Sequence, residues 1–67
     1  MKNKIRELRK ASKMTQEELS KKVGVSRQSI IAIESGKYNP SLELAYNISK
    51  VFDLTIEEVF IFEEEGE

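Results

Sequence analysis

Two helix signals stand so close together between Thr15 and Ser35 that only a three-residue joint separates them. Thr15 is an N-cap, and Glu18 three residues later completes a capping box. Met14 before the cap and Leu19 at the fourth helical position form a hydrophobic staple. Leu19 and Val23 recur at spacing four and give this helix a core face. Gly24 follows where a helix end wants a left-handed residue, and Val25 closes back on Leu19. Ser26 caps the next helix at once, so Val25 also staples onto Ile30. One valine serves the end of one helix and the start of the next, which fixes the angle between them. The segment 16–35 thus reads as a helix-turn-helix.

The chain has 67 residues, room for one domain and one small core. A domain of this size usually needs a staple. No Cys or His is present, so disulfides and the usual zinc sites are excluded, and oligomerisation is the staple that remains. No apolar run approaches membrane-spanning length, and the N-terminus lacks the apolar stretch of a secretory signal. The expectation is a cytoplasmic protein. The net charge of -1 hides a strong polarity. Residues 1–37 carry ten Lys/Arg against four Glu, a balance of +6, and residues 38–67 carry one Lys against eight Asp/Glu, a balance of -7. Such a molecule presents a basic side to phosphates while its far end stays acidic. Composition alone does not separate this from charges that only solvate helices.

The remaining segments also read as helical. Ile5, Leu8 and Ala11 form a stripe on a first helix from about Lys4 to Ser12, with Arg9 at its border. Most of that helix's lysines read as a solvated face. In the third helix Ile30, Ile33 and Glu34 share one side; Arg27, Gln28, Ile31 and Ala32 share the other; Gly36 ends it. Lys37-Tyr38-Asn39-Pro40 is a loop, and Ser41 caps a fourth helix whose core stripe is Leu44, Ala45, Ile48 and Phe52. Thr55 and Glu58 repeat the capping box for a short fifth helix, with Leu54 and Val59 as its staple. Phe60-Ile61-Phe62 reads as an extended strand or a sticky end, and the acidic stretch after it as frayed. The expected fold class is all-α, one domain over 1–67 with its core in 5–60.

Catalysis finds no support. There is no His or Cys, the Ser and Thr residues mostly sit at caps, and no Gly-rich phosphate loop occurs. No metal, cofactor or small-molecule ligand is expected. The third helix is chemically richer. A helix-turn-helix lays its second helix in the major groove with its N-terminal residues at the base edges. Here those are Arg27, Gln28 and Ser29. Arg binds guanine O6 and N7 in bidentate fashion, Gln binds adenine N6 and N7, and either pair discriminates by ~1–3 kcal/mol. Ala32 shares that face. Ile31 does too, and either touches a thymine methyl or packs on its own neighbours. Gln16 opens the preceding helix, where free N–H groups attract a phosphate. Lys37, Tyr38 and Asn39 are positioned for backbone contacts further along, although Asn-Pro is also an ordinary turn signal.

From about Ile5 to Phe60 the chain resembles the Cro/C1-type helix-turn-helix family, also called the XRE family. The resemblance rests on Thr15-Gln16-Glu17-Glu18-Leu19, Gly24-Val25-Ser26-Arg27-Gln28-Ser29-Ile30, Ile33-Glu34-Ser35-Gly36-Lys37 and Asn39-Pro40-Ser41, in one register without gaps. It implies a five-helix, lambda-repressor-like domain in which the terminal segments Met1–Lys4 and Phe60–Glu63 pair as strands. It implies that Gln16 grips a phosphate and braces the start of the third helix, and that Arg27 and Gln28 contact bases, with Ala32 also facing them. Ser29 would contact phosphate or base, and Lys37 to Asn39 the backbone. An ion pair between Arg9 and Glu34 is implied as well. The chain departs from the common pattern at Ile31, where a polar residue is more usual.

The resulting expectation is a sequence-specific DNA-binding regulator, a repressor rather than an activator. It would bind a pseudo-palindromic operator on double-stranded DNA as a homodimer. The apolar C-terminal end supplies the expected interface: Leu54, Ile56, Phe60 and Phe62. The competing expectation is a protein-interaction module, such as an antitoxin-like partner, built on the same fold. A restriction–modification controller is a narrower form of the first reading.

Overall fold

The computed structural model describes residues 1–62; the expected frayed acidic end lies outside the described residues. The elements run β1 (Lys2–Asn3), α1 (Ile5–Ala11), α2 (Gln16–Val23), α3 (Arg27–Glu34), α4 (Leu42–Val51), α5 (Ile56–Val59) and β2 (Phe60–Ile61). The five expected helices are present, as is the small terminal strand pair.

The helix starts follow from local chemistry. Thr15 Oγ1 accepts from the Glu18 N–H at 3.0 Å while the Thr15 N–H donates to Glu18 Oε1 at 2.8 Å. Thr55 and Glu58 form the same reciprocal box. Ser26 and Ser41 cap α3 and α4 through the N–H groups of Ser29 and Leu44. The two boxes belong to a module used twice. A residue in left-handed conformation, Lys13 or Asp53, is followed by an apolar residue, a capping Thr and, after one further residue, two glutamates. Each lies in a four-residue joint, 12–15 or 52–55, that ends one helix and starts the next. The α2–α3 joint instead uses Gly24 at φ +76°, and the N–H groups of Gly24 and Val25 both reach the Ser20 carbonyl.

Every helix contributes to one core: Ile5, Leu19, Ile30, Ile33, Ala45, Ile48 and Val59, joined by Phe60 of β2. Two expectations change here. Ala11 is exposed, and the buried positions of α1 are Ile5 and Arg9, at spacing four. An arginine takes the second place because a buried acceptor awaits it. Phe60, expected on a dimer surface, is 1% exposed and lies in the chain's own core. The reason is β1, which pairs antiparallel with β2, setting Lys2 opposite Ile61 and Asn3 opposite Phe60. The chain's first residues thereby hold Phe60 in a strand, with its side chain part of the core.

Candidate nucleic-acid interface

Ile30 and Ile33 anchor α3 in the core, so its other side turns outward. Arg27 and Gln28, its first two residues, are exposed. Ser29 is half-buried, with its hydroxyl 3.1 Å from that of Ser26, so it belongs partly to the cap. Ile31 and Ala32 are half-buried one turn further along. Ile31 is thus partly packed and partly presented.

The far end of α3 is held at one carboxylate. Arg9 Nε donates to Glu34 Oε2 at 2.6 Å, and Arg9 Nη2 to Oε1 at 3.1 Å. Its third nitrogen, Nη1, donates to the Met14 carbonyl at 2.9 Å. Gln16 Nε2 donates to Glu34 Oε1 at 3.2 Å, and Arg6 Nε lies 3.7 Å from the same oxygen. The Glu34 side chain is 1% exposed. Burial alone would raise its pKa. The hydrogen bonds from Arg9 and Gln16, with the charges of Arg9 and Arg6, outweigh burial and hold the carboxyl below its ordinary range. The cluster joins α1, the start of α2 and the end of α3, and so resists rotation of α3 against α2. Gln16 therefore braces the end of α3 and not, as the resemblance implies, its start.

The chain leaving α3 is fixed by hydrogen bonds. The Ala32 carbonyl accepts from the Lys37 and Tyr38 N–H groups and from the Ser35 hydroxyl. Gly36 makes the turn at φ +83°, where a side chain would be strained and would press on the Met1 carbonyl. Lys37, Tyr38 and Asn39 emerge exposed beside the α3 terminus. One contributor went unread in the sequence. Asn3 Nδ2 donates to the Ile33 carbonyl at 2.9 Å, and Asn3 Oδ1 accepts from the Ile5 N–H at 3.1 Å. It caps α1 in place of Lys4, which makes no side-chain cap, and ties β1 to the last turn of α3. An Asn just before a helix was the available signal.

A helix-turn-helix family profile matches residues 5–59. The chain belongs to the XRE-type helix-turn-helix family. It is 57% identical over 65 residues to an uncharacterised HTH-type transcriptional regulator of Archaeoglobus fulgidus, spanning 97% of this chain and 92% of that protein. Among solved structures it is similar to the restriction-modification controller protein C.AhdI from Aeromonas hydrophila. The TM-score is 0.74 at 31% identity, over 81% of this chain and 82% of that one. It is also similar to a chain of the SinR protein/SinI protein complex, with TM-score 0.72 and 30% identity, over 79% of this chain and 52% of that one. The protein is a helix-turn-helix transcriptional regulator, a class without enzymatic activity.

This XRE-type domain carries a second surface, away from α3. Leu42 and Tyr46 of α4, Leu54 and Ile56 around the start of α5, and Phe62 line one open, largely apolar groove. Leu42, Tyr46 and Phe62 are exposed, and Leu54 and Ile56 half-buried. Leu54, Ile56 and Phe62 were expected on such a surface. Leu42 and Tyr46 were missed, although their spacing of four marks a second apolar stripe on α4. Among the described residues no helix is long and apolar enough to cross a membrane.

Proposed function

We propose that this regulator reads double-stranded DNA by sequence, with the start of α3 in the major groove. The observation that carries the reading is the exposure of Arg27 and Gln28 on a helix buried on its opposite side and clamped at its end. Base readers work when their supporting element is rigid, and Glu34 supplies that rigidity. Ser29 and Ala32 border the same surface, Ile31 offers an apolar contact to a thymine methyl, and Lys37 to Asn39 reach the flanking backbone. The start of α2 at Gln16 faces a phosphate with backbone N–H groups.

The protein acts as a homodimer through the apolar groove of Leu42, Tyr46, Leu54, Ile56 and Phe62. Its operator is pseudo-palindromic, with half-site centres roughly 34–36 Å apart. Regulation is by repression, since a bound dimer excludes polymerase from an overlapping promoter. Its place of action is the cytoplasm, where such DNA lies. A second reading takes the same groove as the seat of a different protein, and the occurrence of a similar chain in the SinR/SinI complex favours keeping it.

Selection from a random duplex pool tests the first reading. Wild type is expected to enrich one pseudo-palindrome. Arg27→Ala is expected to lose preference at one base pair by ~1–3 kcal/mol while non-specific binding falls only slightly. A pool with no enriched duplex overturns the reading. Equal loss on specific and mixed DNA makes Arg27 a phosphate ligand only.

A further inference from the structure

Recognition through α3, the loop after it and the start of α2 leaves Lys10 of α1 and Lys13 of its terminal turn without a role. Arg6, Lys10 and Lys13 recur at spacings four and three, so they share one side of α1 and its terminal turn. With Arg9 and Arg27 they line a single open depression. Among the described residues only one carboxylate lines it, Glu17, which lies 3.9 Å from Lys21 on its own helix. Arg9 is committed to Glu34, and Arg6 stands near the same acid. Among the described residues the side chains of Lys10, Lys13 and Arg27 have no ion-pair or hydrogen-bond partner.

Like charges gathered without counter-charges disfavour the isolated protein, and a polyanion relieves that repulsion. The position of Lys13 is also fixed. It occupies the left-handed region at φ +57°, with its N–H on the Lys10 carbonyl and the following Met14 N–H on that of Arg9. Arg27 is decisive for geometry, because it is both the first residue of α3 and part of the depression's lining. Lys10 and Lys13 thus share one depression with the start of α3, on the side where a groove entered by α3 would present its bordering phosphates.

We propose that Lys10 and Lys13 bind two DNA phosphates bordering the base pairs read by α3. The protein's contact then reaches beyond the segment whose sequence it reads. The inference rests on the DNA-binding reading. The contacts carry no base information, so they add affinity and salt dependence and leave sequence preference unchanged.

The test measures affinity for the selected operator across a salt series. Lys10→Gln/Lys13→Gln removes two phosphate contacts from each protomer of the bound dimer and is expected to give a log–log slope shallower by about 3.6, at about 0.9 per phosphate. Its base preference is expected to match wild type. Lys50→Gln, on α4 outside the depression, is expected to keep the wild-type slope. On operators with single phosphates replaced by neutral methylphosphonates, wild type weakens at two positions of each half-site where the double variant does not, while both weaken alike at the phosphates of Gln16 and of Lys37 to Asn39. An unchanged slope in the double variant overturns the proposal, as does an altered base preference. In both cases wild-type binding leaves the DNA reading standing. A wild type that enriches no duplex overturns that reading instead.

Discussion

Arg9 grips Glu34 with two of its guanidinium nitrogens, across 25 residues of sequence, and turns the third to the carbonyl of Met14. All three nitrogens are thereby used, and both Glu34 oxygens accept. Removing one side strands the other. Glu34→Ala is expected to cost about 3–5 kcal/mol in urea unfolding, because Arg9 loses its counter-charge at a buried position. Arg9→Met/Glu34→Leu removes both charges together and is expected to cost much less than either single change. A double variant as unstable as Glu34→Ala would mean that the ionic contact itself contributes net stability.

The same cluster sets an acid dependence. The folded-state pKa of Glu34 lies below its ordinary value of 4.5, so the unfolded chain takes up the proton more readily. The stabilisation is fully present above that ordinary value. It is lost as pH falls through the lower folded value. Other carboxylates titrate nearby, so the quantity to measure is the wild-type stability minus that of Glu34→Gln. That difference is expected to be flat above about pH 5 and to shrink steadily below it. A difference that grows on acidification would mean that burial outweighs the arginines.

What the sequence made readable was local. Thr15 with Glu18, and Thr55 with Glu58, specify helix starts within four residues, and both boxes form with both hydrogen bonds. The pairing of Arg9 with Glu34 was implied by the family resemblance, and the place of each beside an apolar stripe only agreed with it. What escaped depends on how distant elements lie together. A glutamine at the start of α2 can reach either end of α3, and only the helix packing sends Gln16 to Glu34. Phe60 looks like a sticky end until β1 pairs beside it. The stripe of Leu42 and Tyr46 was visible in the spacing, but that it joins Leu54, Ile56 and Phe62 in one groove follows only from the packing of α4 on α5. For Lys10 and Lys13 the spacing was likewise visible. Their nearness to Arg27 was not, because it needs the angle between α1 and α3.

Asn3 offers a check on how α3 is positioned. It is half-buried, and its two side-chain groups serve two helices, accepting from Ile5 N–H and donating to the Ile33 carbonyl. Asn3→Ala loses a cap and is expected to cost ~0.5–2 kcal/mol. Asn3→Asp keeps the acceptor for α1 but has no donor for Ile33. It is expected to recover protection of the Ile5 amide in hydrogen exchange without recovering full stability. An Asp variant indistinguishable from wild type would show that the link to α3 contributes nothing measurable.

The proposed dimer surface can be tested by a change that does not harm the single chain. Leu42 is 78% exposed, Phe62 57% and Tyr46 52%, so together they leave substantial apolar area in water. Leu42 is also the first residue of α4. A glutamate there faces the positive end of the helix dipole, which favours it by ~0.3–1 kcal/mol. Leu42→Glu should therefore fold at least as well as wild type. On a self-complementary surface the same substitution sets two carboxylates into the interface, one from each copy, and disfavours association. Sedimentation at micromolar concentration is expected to give a dimer for wild type and a monomer for Leu42→Glu, with matching thermal unfolding at low concentration. The variant should still recognise an isolated half-site but lose the steep binding of the full operator. A monomeric wild type would remove the groove as a homodimer interface. A Leu42→Glu protein that remains dimeric would place the contact elsewhere.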